Sequence, residues 1–323
     1  CAIAPPAALQ GAARGIRRPA STGKSCLSAS ECPLSGRSAS FHDICCRSWP
    51  APRSPPRAAD IFIGLPHIDE IIPYLRKEKG KQAFLEAMHS LRKGRYDMAI
   101  LFQNAFEAAL LSILSGIPVR IGYDTQRRGV LLTHKLQRGP QHRNRHQTHD
   151  YLDLVAEAER VCWGSERTEP SQNTPVLVVS QTQSQAATTL LERQGIRAKA
   201  QKLIALNVGA TNSRAKCWPE DRFAALADRF VRERDARIVL IGAASERDNA
   251  AEVIAQMQHS TAATNLAGTT NITQLIGLLG RCALVVTNDT GPAHVAAALN
   301  RPTLTLFGPT NEFETAPLGL CSE

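Results

Sequence analysis

A chain of 323 residues is long enough to bury two cores, and 43% apolar residues with only 5% aromatics fit an α/β protein. The net charge of +9 is unevenly placed: residues 1–58 carry eight basic side chains against Glu31 and Asp43, which accounts for +6 of it. The remainder has no Lys/Arg cluster interleaved with aromatics, which excludes a nucleic-acid footprint, and no apolar run approaches the ~20 residues of a membrane span. Five of the nine cysteines fall in the first 46 residues, and Cys162, Cys217, Cys282 and Cys321 are scattered singly. That pattern predicts reduced thiols rather than a disulfide framework, and the leading spacings match no Cys-x-x-Cys zinc set.

Residues 1–58 show neither helical nor strand periodicity, so no packed structure is expected there. Their Arg- and Ser-rich, acid-poor composition resembles an organelle targeting segment, but the five cysteines and the prolines of 50–56 favour a fragment or an out-of-frame segment. Order is expected from about residue 59, giving a first domain over 59–170 and a second over 171–323. In the first, Ile61–Leu65 and Asp69–Tyr74 are short apolar stretches. Lys81–Lys93 has helical spacing, Met98–Phe102 reads as a strand, Ala105–Ser115 as a helix and Val119–Tyr123 as a strand. Residues 124–150 are polar and basic, Tyr151–Val161 returns to helix, and Gly164–Pro175 reads as a linker. The second domain alternates strand Val176–Ser180, helix Gln183–Gln194, strand Leu203–Val208, helix Pro219–Arg232, strand Arg237–Ile241, helix Glu246–Gln258 and helix Ile272–Leu279. It ends in the unit 282–309: an apolar run to Val286, a polar corner Thr287–Thr290, an alanine-rich helix after Gly291-Pro292 and a strand Thr303–Phe307. Such alternation predicts parallel strands with crossover helices, a doubly wound α/β fold.

Three loops of the second domain carry the chemistry. Asn288, Asp289 and Thr290 are all good helix-capping types and Pro292 suits a first turn, so this corner points a positive helix end at the mouth of a sheet. Asn207–Pro219 follows a strand with small residues at 209 and 210, where backbone can approach a ligand, and with Lys216 as a cation. Glu246 opens a helix after Gly242-Ala-Ala-Ser, either as an acceptor for ribose hydroxyls or as a carboxylate stabilised by the helix dipole. A parallel sheet brings all three loops to one edge. No Walker lysine motif and no Gly-x-Gly-x-x-Gly opens a helix, which sets aside P-loop and ordinary dinucleotide chemistry. His142, His146, His149 and Asp150 tempt a metal assignment, but their Arg-rich setting reads better as a solvated basic loop. Asp124 reads as a turn former.

The ordered motifs Thr287-Asn-Asp-Thr-Gly-Pro-Ala-His294, Pro302–Thr310 and Asn207–Pro219 with its Lys-x-Trp-Pro resemble the lipopolysaccharide heptosyltransferases. Gly116–Thr125 and Arg128–His134 are similar to the heptosyltransferase II group within them, and the resemblance runs from about Asp60 to Pro317. It implies a GT-B fold of two Rossmann-like domains, here with an incomplete N-terminal one. The implied activity is inverting, metal-independent transfer of L-glycero-D-manno-heptose from ADP-heptose to the lipopolysaccharide inner core, with no cofactor. It also implies a cytoplasmic enzyme, with peripheral inner-membrane contact compatible with a lipid-linked acceptor. Carried over by motif, Lys216 would neutralise the diphosphate, Thr290 and Gly291 would offer it N–H groups, and Ala210 and Thr211 would line its loop. Asp289 would hold heptose hydroxyls, His294 would face the leaving group and Glu246 would contact the nucleoside.

The sequence departs from that family at its start, where members place a strand leading into Gly-Asp and then Thr-Pro, the aspartate serving as general base. No Gly-Asp dipeptide occurs in the 323 residues. The expectation is therefore a missing first strand, a lost C-terminal crossing helix, an unassigned catalytic base and little turnover. A non-catalytic nucleotide-sugar-binding remnant of the same fold is the alternative.

Overall fold

The computed structural model describes residues 37–40, 61, 71–72, 74, 80–143, 145–166, 174–196, 202–210 and 214–319. Contacts divide these into two units, one built on residues 71–166 with the strand at 37–40, the other on 174–319 with Ile61. The expected linker falls largely on residues 167–173, outside the described residues.

The first unit is a four-stranded parallel sheet of order β1-β2-β3-β4: β1 Arg37–Ser40, β2 Tyr96–Leu101, β3 Val119–Tyr123 and β4 His134–Leu136. Three helices accompany it, α1 Lys81–Gly94, α2 Phe106–Leu114 and α3 Gln147–Trp163. Side chains of β2 alternate between two faces, as strand geometry requires. Met98 and Ile100 join Ile121, Tyr123 and the α3 residues Leu154, Ala158 and Cys162. Ala99 and Leu101 join Ala109 of α2, Ile117 and Leu132. Helix α1 buries Ala83, Ala87 and Leu91, a four-residue spacing that makes one stripe. It stops at Arg95, whose left-handed φ of 49° ends the turn, after Arg92 and Lys93 have complemented the negative helix end.

Strand β1 corrects the expectation that residues 1–58 hold no strand. Ser38, Ala39 and Ser40 pair in parallel with Met98, Ala99 and Ile100. Arg-Ser-Ala-Ser has no hydropathic alternation, so the pairing rests on backbone hydrogen bonds offered by the open side of β2, which no local pattern can announce. Strand β4, three residues inside the basic stretch, escaped notice for the same reason. Ile61 is a further correction: it packs against the core of the second unit rather than the first.

The second unit is a five-stranded parallel sheet of order β7-β6-β5-β8-β9, with β5 Lys202–Asn207, β6 Ala236–Ile241, β7 Ala263–Asn265, β8 Leu284–Asn288 and β9 Thr303–Leu306. Its helices are α4 Gln181–Arg193, α5 Glu220–Arg234, α6 Arg247–Gln256, α7 Ile272–Leu279, α8 Gly291–Ala298 and the single turn α9 Glu312–Thr315. Leu203, Ala205, Val239, Ile241 and Val285 meet α4, α7 and α8 on one face. Ile204, Leu206, Ile238, Leu240 and Val286 meet Phe223, Ala224 and Ala227 of α5 and Ala250 and Val253 of α6 on the other. Burial on both faces explains why these strands read as continuous apolar runs. Capping boxes start α4 at Ser180–Gln183 and α7 at Asn271–Gln274.

The expected strand Val176–Ser180 does not form a sheet ladder. Its alternation is real, since Val176 and Val178 are exposed while Leu177 and Val179 pack on the core. The Leu177 N–H, however, donates to Ala298 O at the end of α8 (2.7 Å) instead of to a neighbouring strand. Among the described residues no helix is long and apolar enough to cross a membrane.

Helices α4 and α7 touch through Gly277, where a Cβ would lie 2.0 Å from the Gln183 carbonyl oxygen and 2.9 Å from Ala187 Cβ. In an unconstrained helix Gly→Ala gains about 1 kcal/mol. Overpacking against backbone costs about 1–3 kcal/mol, so the clash outweighs the propensity. Gly277→Ala is therefore expected to lower the thermal unfolding midpoint, read by circular dichroism.

Candidate functional site

The chain builds β5, β6 and β7 outward in one direction and then returns to lay β8 and β9 on the other side of β5. The order therefore reverses between β5 and β8, and loops leaving such a reversal diverge and leave a crevice beyond the carboxyl ends of the strands. Asn207 ends β5 opposite Thr287 of β8. The loops that follow carry Lys216 and Asp289, and they come together as the sequence predicts.

Lys216 lies on a short 3-10 turn, Arg214–Lys216, and its Nζ donates to Asp289 Oδ2 at 2.8 Å. The Asp289 carboxylate is 7% exposed and the lysine 23%, so the pair is largely withdrawn from water. Thr310, beyond β9, donates its hydroxyl to the same oxygen at 2.8 Å. Gly308 brings that loop in: a Cβ there would be 2.8 Å from the Ala215 carbonyl oxygen. The buried Asn288 side chain ties the two sides together, its Nδ2 donating to Val208 O (2.9 Å) and its Oδ1 accepting from Trp218 N (3.1 Å). Trp218 stands edge-on to Phe223 at 5.1 Å, which anchors the turn to the core under α5.

Helix α8 begins at Gly291 with Pro292 in its first turn, and Thr290 at the N-cap makes no side-chain cap bond. Gly291 is exposed, and a Cβ on it would meet nothing within 4 Å among the described residues, which leaves its backbone accessible there. His294 lies one turn further along the helix and is half-buried. Ala210 is half-buried after β5, and Thr211 lies outside the described residues.

Two expectations about small residues and carboxylates change. The absent side chain of Gly209 makes room for a protein group rather than a ligand: a Cβ there would lie 2.1 Å from Glu246 Cδ. Glu246 is buried, and its Oε2 accepts from the Ala243 N–H at 2.7 Å. The carboxylate thus packs between the β5 and β6 loops and caps its own turn, beside Gly242, whose φ is 159°. Sequence reasoning missed Asn207, Asn288, Trp218 and Thr310 as partners in this corner. Beyond the capping character of Asn288, the signal was their presence in the quoted motifs.

In the first unit the basic stretch is not solvated as expected. Arg138 and Arg145 both pair with Asp150, which is 5% exposed, and Arg145 also reaches Asp153. Tyr123 Oη donates to Asp150 O at 3.0 Å, and the Tyr123 hydroxyl is held well above its usual range, first by burial and then by the field of Asp153 and Asp150. Burial works against the Arg145 guanidinium, but its bonds to Asp153 and Asp150 prevail and raise it. His142, Asp150 and Asp153 come close enough to share an ion. The two guanidiniums already occupy those carboxylates, however, and His146 accepts from Thr148 N to cap α3. Asp124 accepts from Gln137 (3.2 Å) and abuts Gly129, a turn role. Arg128 is fully buried, donating to Tyr123 O (2.8 Å), Asn104 Oδ1 (3.0 Å) and Gln103 O, and burial pushes it down to about 10. It staples the loops leaving β2 and β3. Cys162 and Cys282 are buried, and burial pushes Cys282 up to about 12.

A doubly wound parallel unit with a cation, a carboxylate and a helix start at its strand reversal is a Rossmann-like unit. The chain belongs to glycosyltransferase family 9 (heptosyltransferase), whose family model matches residues 84–321. It is 32% identical over 264 residues to lipopolysaccharide heptosyltransferase 2 of Escherichia coli K12, covering 79% of this chain and 72% of that protein. Its identity to the Salmonella typhimurium LT2 protein of the same name is 32% over 263 residues, with the same coverage of both. The solved structure of E. coli ADP-heptose lps heptosyltransferase II superposes with a TM-score of 0.67 at 30% identity, over 80% of this chain and 75% of that one. A family 9 glycosyl transferase from Veillonella parvula, at 23% identity, shares the fold with a TM-score of 0.70 over 81% and 73% of the two chains. The fold is thus GT-B and the protein a glycosyltransferase.

Filling the space at Gly209 should expel Glu246. Gly209→Ala is expected to destabilise the chain by about 1–3 kcal/mol. Adding Glu246→Ala should recover part of that loss in urea unfolding, since the two changes share one contact.

Proposed function

We propose that this chain binds ADP-heptose in its second unit and transfers L-glycero-D-manno-heptose to the inner core of lipopolysaccharide, with inversion and without a metal. The observation that carries the reading is the corner formed by Lys216, Asp289 and the open end of α8 at the β5/β8 reversal. The Thr290 and Gly291 N–H groups and the positive helix end suit the diphosphate. Lys216, held by Asp289 in the free protein, is the cation such a ligand would draw away. A diphosphate that takes Lys216 leaves Asp289 Oδ2 to the Thr310 hydroxyl and to sugar hydroxyls, so charge neutralisation and heptose recognition are linked through one oxygen.

In this reading Ala210 and Thr211 line the phosphate loop, Glu246 borders the nucleoside, and His294 faces the leaving group from one turn along α8. The acceptor, being lipid-linked, places the reaction at the cytoplasmic face of the inner membrane. A second reading, a nucleotide-sugar binder without turnover, is favoured by the lack of any Gly-Asp pair in the 323 residues.

Calorimetry of the intact chain with ADP is expected to show binding, with Lys216→Ala weakening it about 10–100-fold through loss of one charge-assisted contact. Failure of the folded chain to bind ADP would overturn the proposal. Binding without transfer of heptose to a heptose-deficient core acceptor would select the second reading.

A further inference from the structure

Asn207 takes no part in the roles assigned above, yet it sits where β5 meets the corner. It is 2% exposed, and its Nδ2 donates to Thr290 Oγ1 at 2.6 Å and to Thr287 Oγ1 at 3.1 Å. Both hydroxyls in turn donate to the Asn288 carbonyl oxygen, at 3.2 and 2.7 Å. One amide from the central strand thus fixes the peptide that leads from β8 into α8.

The consequence falls on the helix end. Thr290 has the extended backbone of an N-cap residue, with φ −149° and ψ 172°, and threonine is a good capping type. A cap bond would run to the second or third N–H of the helix, and Pro292 has none. Ala293 alone remains, and its N–H already donates to Thr290 O at 3.1 Å. Held by Asn207, the hydroxyl faces the sheet instead of the helix mouth, and the positive end of α8 stays open.

The other half of the amide makes the argument sharper. Asn207 Oδ1 is buried with no hydrogen-bond partner among the described residues. An orphaned buried carbonyl costs stability, so a leucine of the same shape would serve the fold as well or better. What the asparagine adds is the donor that Thr290 accepts.

The geometry points to Asn207 as a positioning residue for diphosphate recognition, acting through the Thr290 hydroxyl to keep the α8 N-terminus uncapped and correctly aimed. The inference rests on the ADP-binding reading above. The test uses the full chain, calorimetry with ADP and thermal unfolding, on wild type, Asn207→Leu, Thr290→Val and the double variant. Asn207→Leu is expected to bind ADP about tenfold more weakly while its unfolding midpoint holds or rises. Thr290→Val should show a similar loss, and the double variant no further loss, because both changes break one link. Wild-type affinity in Asn207→Leu would overturn the inference while leaving the ADP reading intact. A fall in affinity together with the midpoint, or failure to fold, would assign Asn207 a structural role and overturn it too, as would additive losses in the double variant. A wild-type chain that does not bind ADP would remove the functional reading itself.

Discussion

The parallel pairing of β5 with β8 is the constraint on which the site depends. These strands are separated by some eighty residues, Asn207 lying opposite Thr287, and the chain reverses its direction of sheet building between them. Adjacent parallel strands present their carboxyl ends together, so every loop that follows them emerges on one edge. Asn207, Lys216, Asn288, Asp289 and Thr290 become neighbours for that reason alone. A different strand order with the same local elements would scatter them.

Around that edge the protein spends buried polar groups freely, which sets it apart from the apolar sheet beneath. Asn288 bridges two loops, Glu246 fills the hollow left by Gly209, and Asp289 receives both Lys216 and Thr310. Buried polar atoms are tolerated where their partners are present, and each of these helps to hold a loop in place beside the Trp218 anchor. The loops are thereby stiffened by hydrogen bonds as well as by packing. A competitor for one partner, such as Lys216 or Asp289, would then be answered by a local exchange without disturbing the core. The first unit follows the same logic with charge: Arg128 staples the loops after β2 and β3, and Arg138 and Arg145 pin the start of α3 through Asp150. A stretch that is strongly basic along the chain is partly neutral in space.

What the sequence determined by itself was everything carried by local pattern. Apolar runs marked Val119–Tyr123 and Ile272–Leu279 to the residue, and the strand–corner–helix–strand unit at 282–309 stood out because its capping residues and Pro292 lie beside an apolar run. The family was legible from ordered motifs, and the meeting of Lys216 with the Asp289 corner followed from parallel alternation. Only the tertiary structure decided what depends on partners distant along the chain. Arg37–Ser40 is a strand because β2 offers it an edge, and Val176–Ser180, with better alternation, is not one because its Leu177 N–H bonds to the end of α8 instead of to a strand. Gly209 faces a carboxylate rather than a ligand, and Asn207 turns Thr290 from a helix cap into a link in the sheet edge. Periodicity and capping are set by neighbours a few residues away, whereas hydrogen bonds spanning some eighty residues exist only once the sheet order has brought their partners together.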